Sequence, residues 1–159
     1  MALVPAWDVL KDLGKALIPH EIARSGRARL LHYFQQYPHI VLSGKELAVV
    51  GGIDDWTRRV RELRKEFGWN IASGLAVKEM IEEGELSKDI GLSGHSKMMP
   101  DDYIMLSTKQ DRDAAYRWRM ANDIRKGAGG AKAKILDFLL KNLGKPVSGE
   151  ELRYVTQNK

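Results

Sequence analysis

A gap-free internal repeat constrains this chain more than any other feature of its sequence. Residues 27–50 read RARLLHYFQQYPHIVLSGKELAVV, and residues 132–155 read KAKILDFLLKNLGKPVSGEELRYV, an offset of 105. The identical pairs are Ala28/Ala133, Leu31/Leu136, Ser43/Ser148, Gly44/Gly149, Glu46/Glu151, Leu47/Leu152 and Val50/Val155. Arg27/Lys132, Arg29/Lys134, Leu30/Ile135, Tyr33/Phe138 and Leu42/Val147 keep their chemistry. A period this long does not build a solenoid, so it reads as duplication of a small domain.

Both copies share one local grammar. A helical pattern over 27–37 places Leu30, Leu31, Phe34 and Tyr37 on one side. A short extended piece follows at 40–42. Ser43-Gly-Lys-Glu46 then has the form of a capping box, and Ser148-Gly-Glu-Glu151 repeats it. The helix opened by Ser43 covers about 45–50 and ends at Gly51-Gly52. Only the first copy continues, with a third helix capped by Asp54 or Asp55 and closed by Gly68.

Helix, short strand, helix, turn, helix is the order of a winged helix-turn-helix. The wing strands are expected at 69–73 and 103–107, the second introduced by the turn residues Pro100-Asp101-Asp102. Between them a short helix (76–83) and a Gly/Ser loop (84–99) are expected. A basic helix over 111–126 and the hinge-like Gly127-Ala-Gly-Gly130 lead to the second copy. Upstream, 5–18 reads as a helix with Trp7, Leu10, Leu13 and Leu17 aligned, ended by Pro19.

The expected fold is therefore mainly α with short β wings. An N-terminal helical extension (1–23) precedes a winged-helix domain (24–108), a basic connecting helix and hinge (109–130), and an incomplete second winged-helix repeat (131–159). The second copy stops where its third helix should begin. Ile135, Leu136, Leu139, Leu140 and Leu143 then lack a cover. The expectation is that the chain is a piece of something longer, or that a partner chain completes it, a homodimer through this repeat included.

The 159 residues include no cysteine, which rules out disulfides, iron–sulfur clusters and thiolate zinc sites. No apolar run approaches the ~20 residues that span a bilayer, and no secretory signal is read at the N-terminus. A cytoplasmic protein without a membrane partner is expected. The net charge is +5 and the pI 9.4. Residues 109–134 hold eight basic residues (Lys109, Arg112, Arg117, Arg119, Arg125, Lys126, Lys132, Lys134) against three acids (Asp111, Asp113, Asp123). Their balance, 8 − 3, equals the whole net charge, which directs attention to nucleic acid.

The third helix carries the sharpest signal. At about 100° per residue, Trp56, Val60, Leu63 and Phe67 form a core stripe. Arg58, Arg61 and Lys65 lie opposite, with Thr57 and Arg64 at one flank and Asp55 and Glu62 at the other. A helix so presented can enter the major groove. Arginine reads guanine edges well because its fork meets two acceptors at once. Thr57, Arg58 and Arg61 are thus expected at base edges and Lys65 at phosphate. The competing reading is a solvated charged face with Arg–Glu pairs among Glu62 and Glu66.

Further phosphate contacts are expected from Arg24, Arg27 and Arg29 at the start of the first repeat helix, and from Ser43 and Lys45 at the next N-terminus. His95 and Lys97 in the wing loop complete the set. The basic helix 111–126 either tracks phosphates or is a solvated linker. Its Tyr116 and Trp118 are read as packing groups rather than base-stacking ones.

Catalysis has little support. His20, His32, His39 and His95 have no metal-ligand spacing, and Asp54-Asp55 reads as a helix cap. Gly51-Gly52 lacks the lysine and serine of a phosphate loop. Neither enzyme activity, metal nor cofactor is expected.

Trp56-Thr-Arg-Arg-Val-Arg-Glu-Leu-Arg64, Phe67-Gly-Trp-Asn-Ile71, Pro100-Asp-Asp-Tyr-Ile-Met-Leu-Ser107, Tyr116-Arg-Trp-Arg-Met-Ala-Asn-Asp-Ile-Arg125 and Ser148-Gly-Glu-Glu-Leu-Arg-Tyr-Val155 together resemble the N-terminal region of bacterial restriction-type HNH endonucleases. In that family two helix-turn-helix units precede a nuclease domain. The resemblance covers about residues 24–159. It implies core packing for Trp56 and DNA contacts for Arg58, Arg59, Arg61 and Arg64. This chain lacks both the second W-x-R-R-x-R-E-L-R and the HNH domain, so the resemblance implies targeting without cleavage. The implied partner is double-stranded DNA, read by sequence or by modification such as methylation. The alternative is a protein–protein assembly module whose second repeat a partner chain completes.

Overall fold

Two serines set the frame. Ser43 accepts from the Glu46 backbone N–H while the Glu46 carboxylate accepts from the Ser43 N–H, opening the helix Gly44–Gly51. Ser148 and Glu151 make the same pair of bonds before the helix Gly149–Thr156. Both are the capping boxes expected from the repeat. The computed structural model describes residues 7–87 and 98–157.

Among the described residues the order is α1(Trp7–Leu17), α2(Gly26–Gln36), β1(Val41–Leu42), α3(Gly44–Gly51), α4(Trp56–Lys65), β2(Trp69–Ser73), α5(Gly74–Glu82), β3(Tyr103–Gln110), α6(Arg112–Lys126), α7(Ala131–Lys141) and α8(Gly149–Thr156). The fold is mainly helical with one three-stranded antiparallel sheet. The chain divides into two compact units. One comprises Met1–Arg64 and Trp69–Gln110, the other Lys65–Gly68 and Asp111–Lys159.

In the first unit β3 is the central strand, in the order β1-β3-β2. Val41 and Leu42 pair with Ile104 and Tyr103, and Ile71, Ala72 and Ser73 with Met105, Ile104 and Tyr103. Successive residues of a strand point to opposite faces. Ile71 and Met105 accordingly join the core of Leu30, Phe34, Leu42, Leu47, Val60 and Leu63. Ala72 and Ile104 face the other way and pack with Val77 of α5. The short helix α5 between β2 and β3 is thus a cover for the second sheet face, which its sequence did not announce.

α1 packs on α3, with a contact face that differs from the expected one. Gly14 and Ile18 are buried, whereas Leu13 and Leu17 are exposed. The reason is backbone proximity. A Cβ at Gly14 would collide with the Val49 carbonyl, so only glycine lets the helices approach this closely. At the other end of α3, Gly52 takes the left-handed φ of 61° that stops the helix.

The second unit repeats three helices rather than two. α7 and α8 start and end 105 residues after α2 and α3, and α6 starts 105 residues after α1. α6 packs on α8 as α1 packs on α3. Its Ala121 and Ile124 form a core with Phe138 and Val155. The helix expected as a phosphate-tracking or solvated connector is therefore an integral wall of this unit.

Gly14→Ala is expected to lower stability by about 1–3 kcal/mol through overpacking. Urea denaturation reads this directly; an unchanged midpoint would contradict the close approach of α1 to α3.

Candidate nucleic-acid interface

α4 is strongly polar, and its two aliphatic residues decide its rotation. Val60 is fully buried and Leu63 nearly so. Trp56 meets Tyr103 edge-on, with ring centroids 6.0 Å apart. With that stripe inward, Thr57, Arg58 and Arg61 are exposed and Arg64 is half-buried on the same side. Among the described residues Arg61 and Arg64 make no ion pair.

Glu62 departs from the expected picture. It lies at 7% exposure, not at the margin of a solvated face. The Arg59 guanidinium donates to both its oxygens at 2.8 and 2.9 Å. Arg27 of α2 approaches at 3.4 Å, and Arg58 Nε also stands 3.4 Å away. Arg59 extends the network to Asp55 at 3.0 Å. Burial on its own would raise the carboxyl pKa of Glu62, but the hydrogen bonds and charges of Arg59 and Arg27 outweigh it and hold the pKa below 4.5. The Arg59 guanidinium, bonded to Glu62, is held more firmly protonated in return.

The helix start also differs in detail from the expectation. The Asp55 carbonyl accepts from Arg58 and Arg59 N–H, so Asp55 begins α4 through its backbone. Its carboxylate is committed to Arg59, and Asp54 to Lys11 at 3.0 Å.

The remaining expected residues divide into two groups. Ser43 and Lys45 are both exposed at the α3 N-terminus, and Ser43 acts as the cap. Arg27 is half-buried against Glu62. Arg29, expected at phosphate, is instead buried. Its Nε donates to the Val50 carbonyl at 3.2 Å and its Nη2 to the Gly51 carbonyl at 2.5 Å. It satisfies carbonyls that α3 leaves open at its end, and burial lowers its pKa.

Lys65 is not a free cation. It falls in the second unit, 3.6 Å from Glu150, with its Nζ 4.1 Å from the Trp118 ring centroid and 4.9 Å from that of Tyr154. Lys97 and His95 lie outside the described residues.

The basic cluster of the second unit is similarly divided. Arg117 is bound to buried Glu151 at 2.9 Å, Arg125 lies over the Tyr154 ring, and Lys134 donates to the Arg125 carbonyl. Trp118 packs edge-on against Tyr154, as expected of a packing group, but Tyr116 is exposed. Sequence periodicity missed Arg29 and Arg117 because their partners come from other helices, whereas the pairing of Glu62 with arginines of its own helix was among the expected readings and only its burial and its contact with Arg27 were not. The one available signal was an acid or base close to a core stripe.

Because the folded Glu62 carboxyl titrates below its unfolded value, its contribution to stability is present above about pH 4.5 and is lost as pH falls through the folded pKa. Glu62→Gln is expected to flatten the acid limb of a stability–pH profile below about pH 4.5. Thermal melts across that range test this, and an unaltered slope would show that Glu62 carries no such linkage.

Comparison with known proteins bears on this unit. A family model for the KpnI N-terminal domain matches residues 27–106, from the start of α2 into β3. No curated protein and no solved structure matches the chain. The match covers half the chain and takes in the exposed face of α4 and the core that holds it. The chain belongs to the KpnI N-terminal domain family, a restriction-enzyme N-terminal domain.

Proposed function

We propose that this chain is a double-stranded DNA-binding module, the targeting part of a restriction-type endonuclease acting in the cytoplasm. The carrying observation is the exposed side of α4, where Thr57, Arg58, Arg61 and Arg64 stand together on a helix locked by Val60 and Leu63. The order α2-β1-α3-α4-β2-α5-β3, with α5 inserted between the two long strands, supports reading the first unit as a winged helix-turn-helix, with α4 as its recognition helix. In this reading Thr57, Arg58 and Arg61 meet base edges in the major groove. Lys45 and the Ser43 end of α3 meet phosphate.

Two cations have a different role from the one their sequence positions suggest. Arg27 serves Glu62, and Lys65 serves the second unit, so neither anchors the docking helix by itself. Arg58 is poised between roles. At 3.4 Å from Glu62 and largely exposed, it can exchange that contact for a guanine edge or a phosphate. The reading assigns recognition to these residues and cleavage to none. Whether the target is a base sequence or a methylated base is decided by the same experiment.

Fluorescence anisotropy of the chain with labelled duplexes, methylated and unmethylated, tests the reading. The logarithm of affinity is expected to fall with the logarithm of salt by about 0.9 per neutralised phosphate. Arg58→Ala/Arg61→Ala is expected to weaken binding at least about tenfold, at about 1–3 kcal/mol per lost bidentate contact. No binding to any duplex at low salt sinks the proposal. Cleavage of the duplex in added Mg²⁺ would sink the assignment of recognition alone.

A further inference from the structure

We infer that the groove between α6 and α7 is a site for a single unpaired nucleobase carried on a DNA strand. The inference rests on the proposed function only for the source of the base. The groove arises where the two copies of the repeat part company. In the first copy α1 ends at Leu17 and the chain folds back, the Pro19 carbonyl accepting from the Ile22 and Ala23 N–H groups. Ile18 and Ala23 are thereby buried with Val50, against Ala28 of α2.

At an offset of 105 those two positions are Asp123 and Ala128, and both are exposed. α6, with 15 residues against 11 in α1, runs straight on to Lys126. The link Gly127-Ala-Gly-Gly130 then brings no large side chain to fill the corner, and a Cβ on Gly130 would meet nothing within 4 Å. What remains is a groove of about 820 Å³, lined only by α6, the link and α7. Its volume lies in the range of about 300–1,000 Å³ common to ligand sites.

The lining selects the occupant. Tyr116, Met120 and Ile124 recur every fourth residue and so share one side of α6. Tyr116 is 59% exposed, which leaves its ring open to stacking. Arg119 and Asp123 lie beside that stripe. Among the described residues the Asp123 carboxylate has no hydrogen bond or ion pair, and Arg119 makes one contact, to the Glu66 carbonyl at 3.3 Å. A nucleobase matches each part: its face meets the ring, and its edge meets a free acceptor and a free donor fork. A run of phosphates fits poorly, because Asp123 and Asp137 stand in the walls. The cations of the α7 wall are already engaged, Lys141 with Asp137 at 2.9 Å and Lys134 with the Arg125 carbonyl.

The test measures the affinity of the whole chain for a matched duplex and for the same duplex with one base left opposite an abasic site. An unpaired base costs less to extrude, so the second duplex is expected to bind at least about fivefold more tightly. Tyr116→Ala and Asp123→Ala should each bring the two affinities within about twofold of one another. Both substitutions fall on exposed positions, and circular dichroism confirms that the helices persist. Equal affinity of the unsubstituted chain for the two duplexes overturns the inference. So does a preference that survives both substitutions, because the base is then met elsewhere or duplex flexibility is being read. Displacement of the unpaired-base duplex by a free nucleoside monophosphate at the same concentration would overturn the assignment to a DNA strand. Tight binding of the unpaired-base duplex alone, lost in Tyr116→Ala, would support this inference and sink the major-groove reading of α4. Matched-duplex binding lost in Arg58→Ala/Arg61→Ala, with no preference for the unpaired base, would do the reverse.

Discussion

Burial of Val60 and Leu63 is the interaction on which the functional reading of this chain depends. α4 contains only three apolar residues in ten, Trp56, Val60 and Leu63. A helix this short and polar is marginal in water and persists because one stripe packs. Each aliphatic side chain contributes about 1.5–3 kcal/mol when fully buried. A stripe so narrow leaves little freedom of rotation. It sends Arg58 and Arg61 outward and Glu62 into the seam with α2. The exposed basic face thus follows from where two aliphatic residues point.

That stripe needs a firm surface, and α3 supplies much of it. α3 has eight residues, too few to hold alone, yet both its ends are satisfied. Ser43 and Glu46 close the N-terminus, and Gly52 with the Arg29 guanidinium closes the C-terminus. The Tyr33 hydroxyl donates to Glu46, tying α2 to the capping box, and burial with the neighbouring carboxylate raises the pKa of that phenol. Leu47 fills the space between. The segment from α2 to α4 is thus held at both ends of α3 as well as along its core, and this fixes the orientation of α4.

What could be read from sequence was local. The capping boxes, the glycine stop at Gly52 and the strands β2 and β3 rest on residues close together in the chain, and the structure carries each of them, as it does the offset of 105. The core stripe of α4 was legible too, because periodicity reports burial. The errors concern partners from elsewhere. Arg29 looked like a phosphate ligand because its carbonyl acceptors belong to α3. Glu62 looked solvated because the seam that buries it is made with α2, whose Arg27 joins the Arg59 of its own helix against it. Leu13 and Leu17 looked like a contact face because apolar residues outrank a glycine in any hydrophobic pattern, yet Gly14 makes the approach. α6 looked like a connector because it shares almost no sequence with α1, although both start at the same repeat position.

The two copies also show how the same cap can be supported by different chemistry. In the first, Glu46 is held by a neutral phenol, Tyr33. In the second, Phe138 replaces that tyrosine and has no hydroxyl to give. Glu151 is more deeply buried and takes Arg117 of α6 in its place, at 2.9 Å. A carboxylate buried to this degree needs a paired charge or several donors. Losing the tyrosine therefore calls for a cation on the helix that packs against α8. Lys134, at the position of Arg29, likewise reaches a carbonyl, here that of Arg125 on α6. Part of the basic character between residues 109 and 134 is thus a consequence of the duplication. Those charges hold helices together, and the density of lysine and arginine in that stretch overstates the positive surface left exposed.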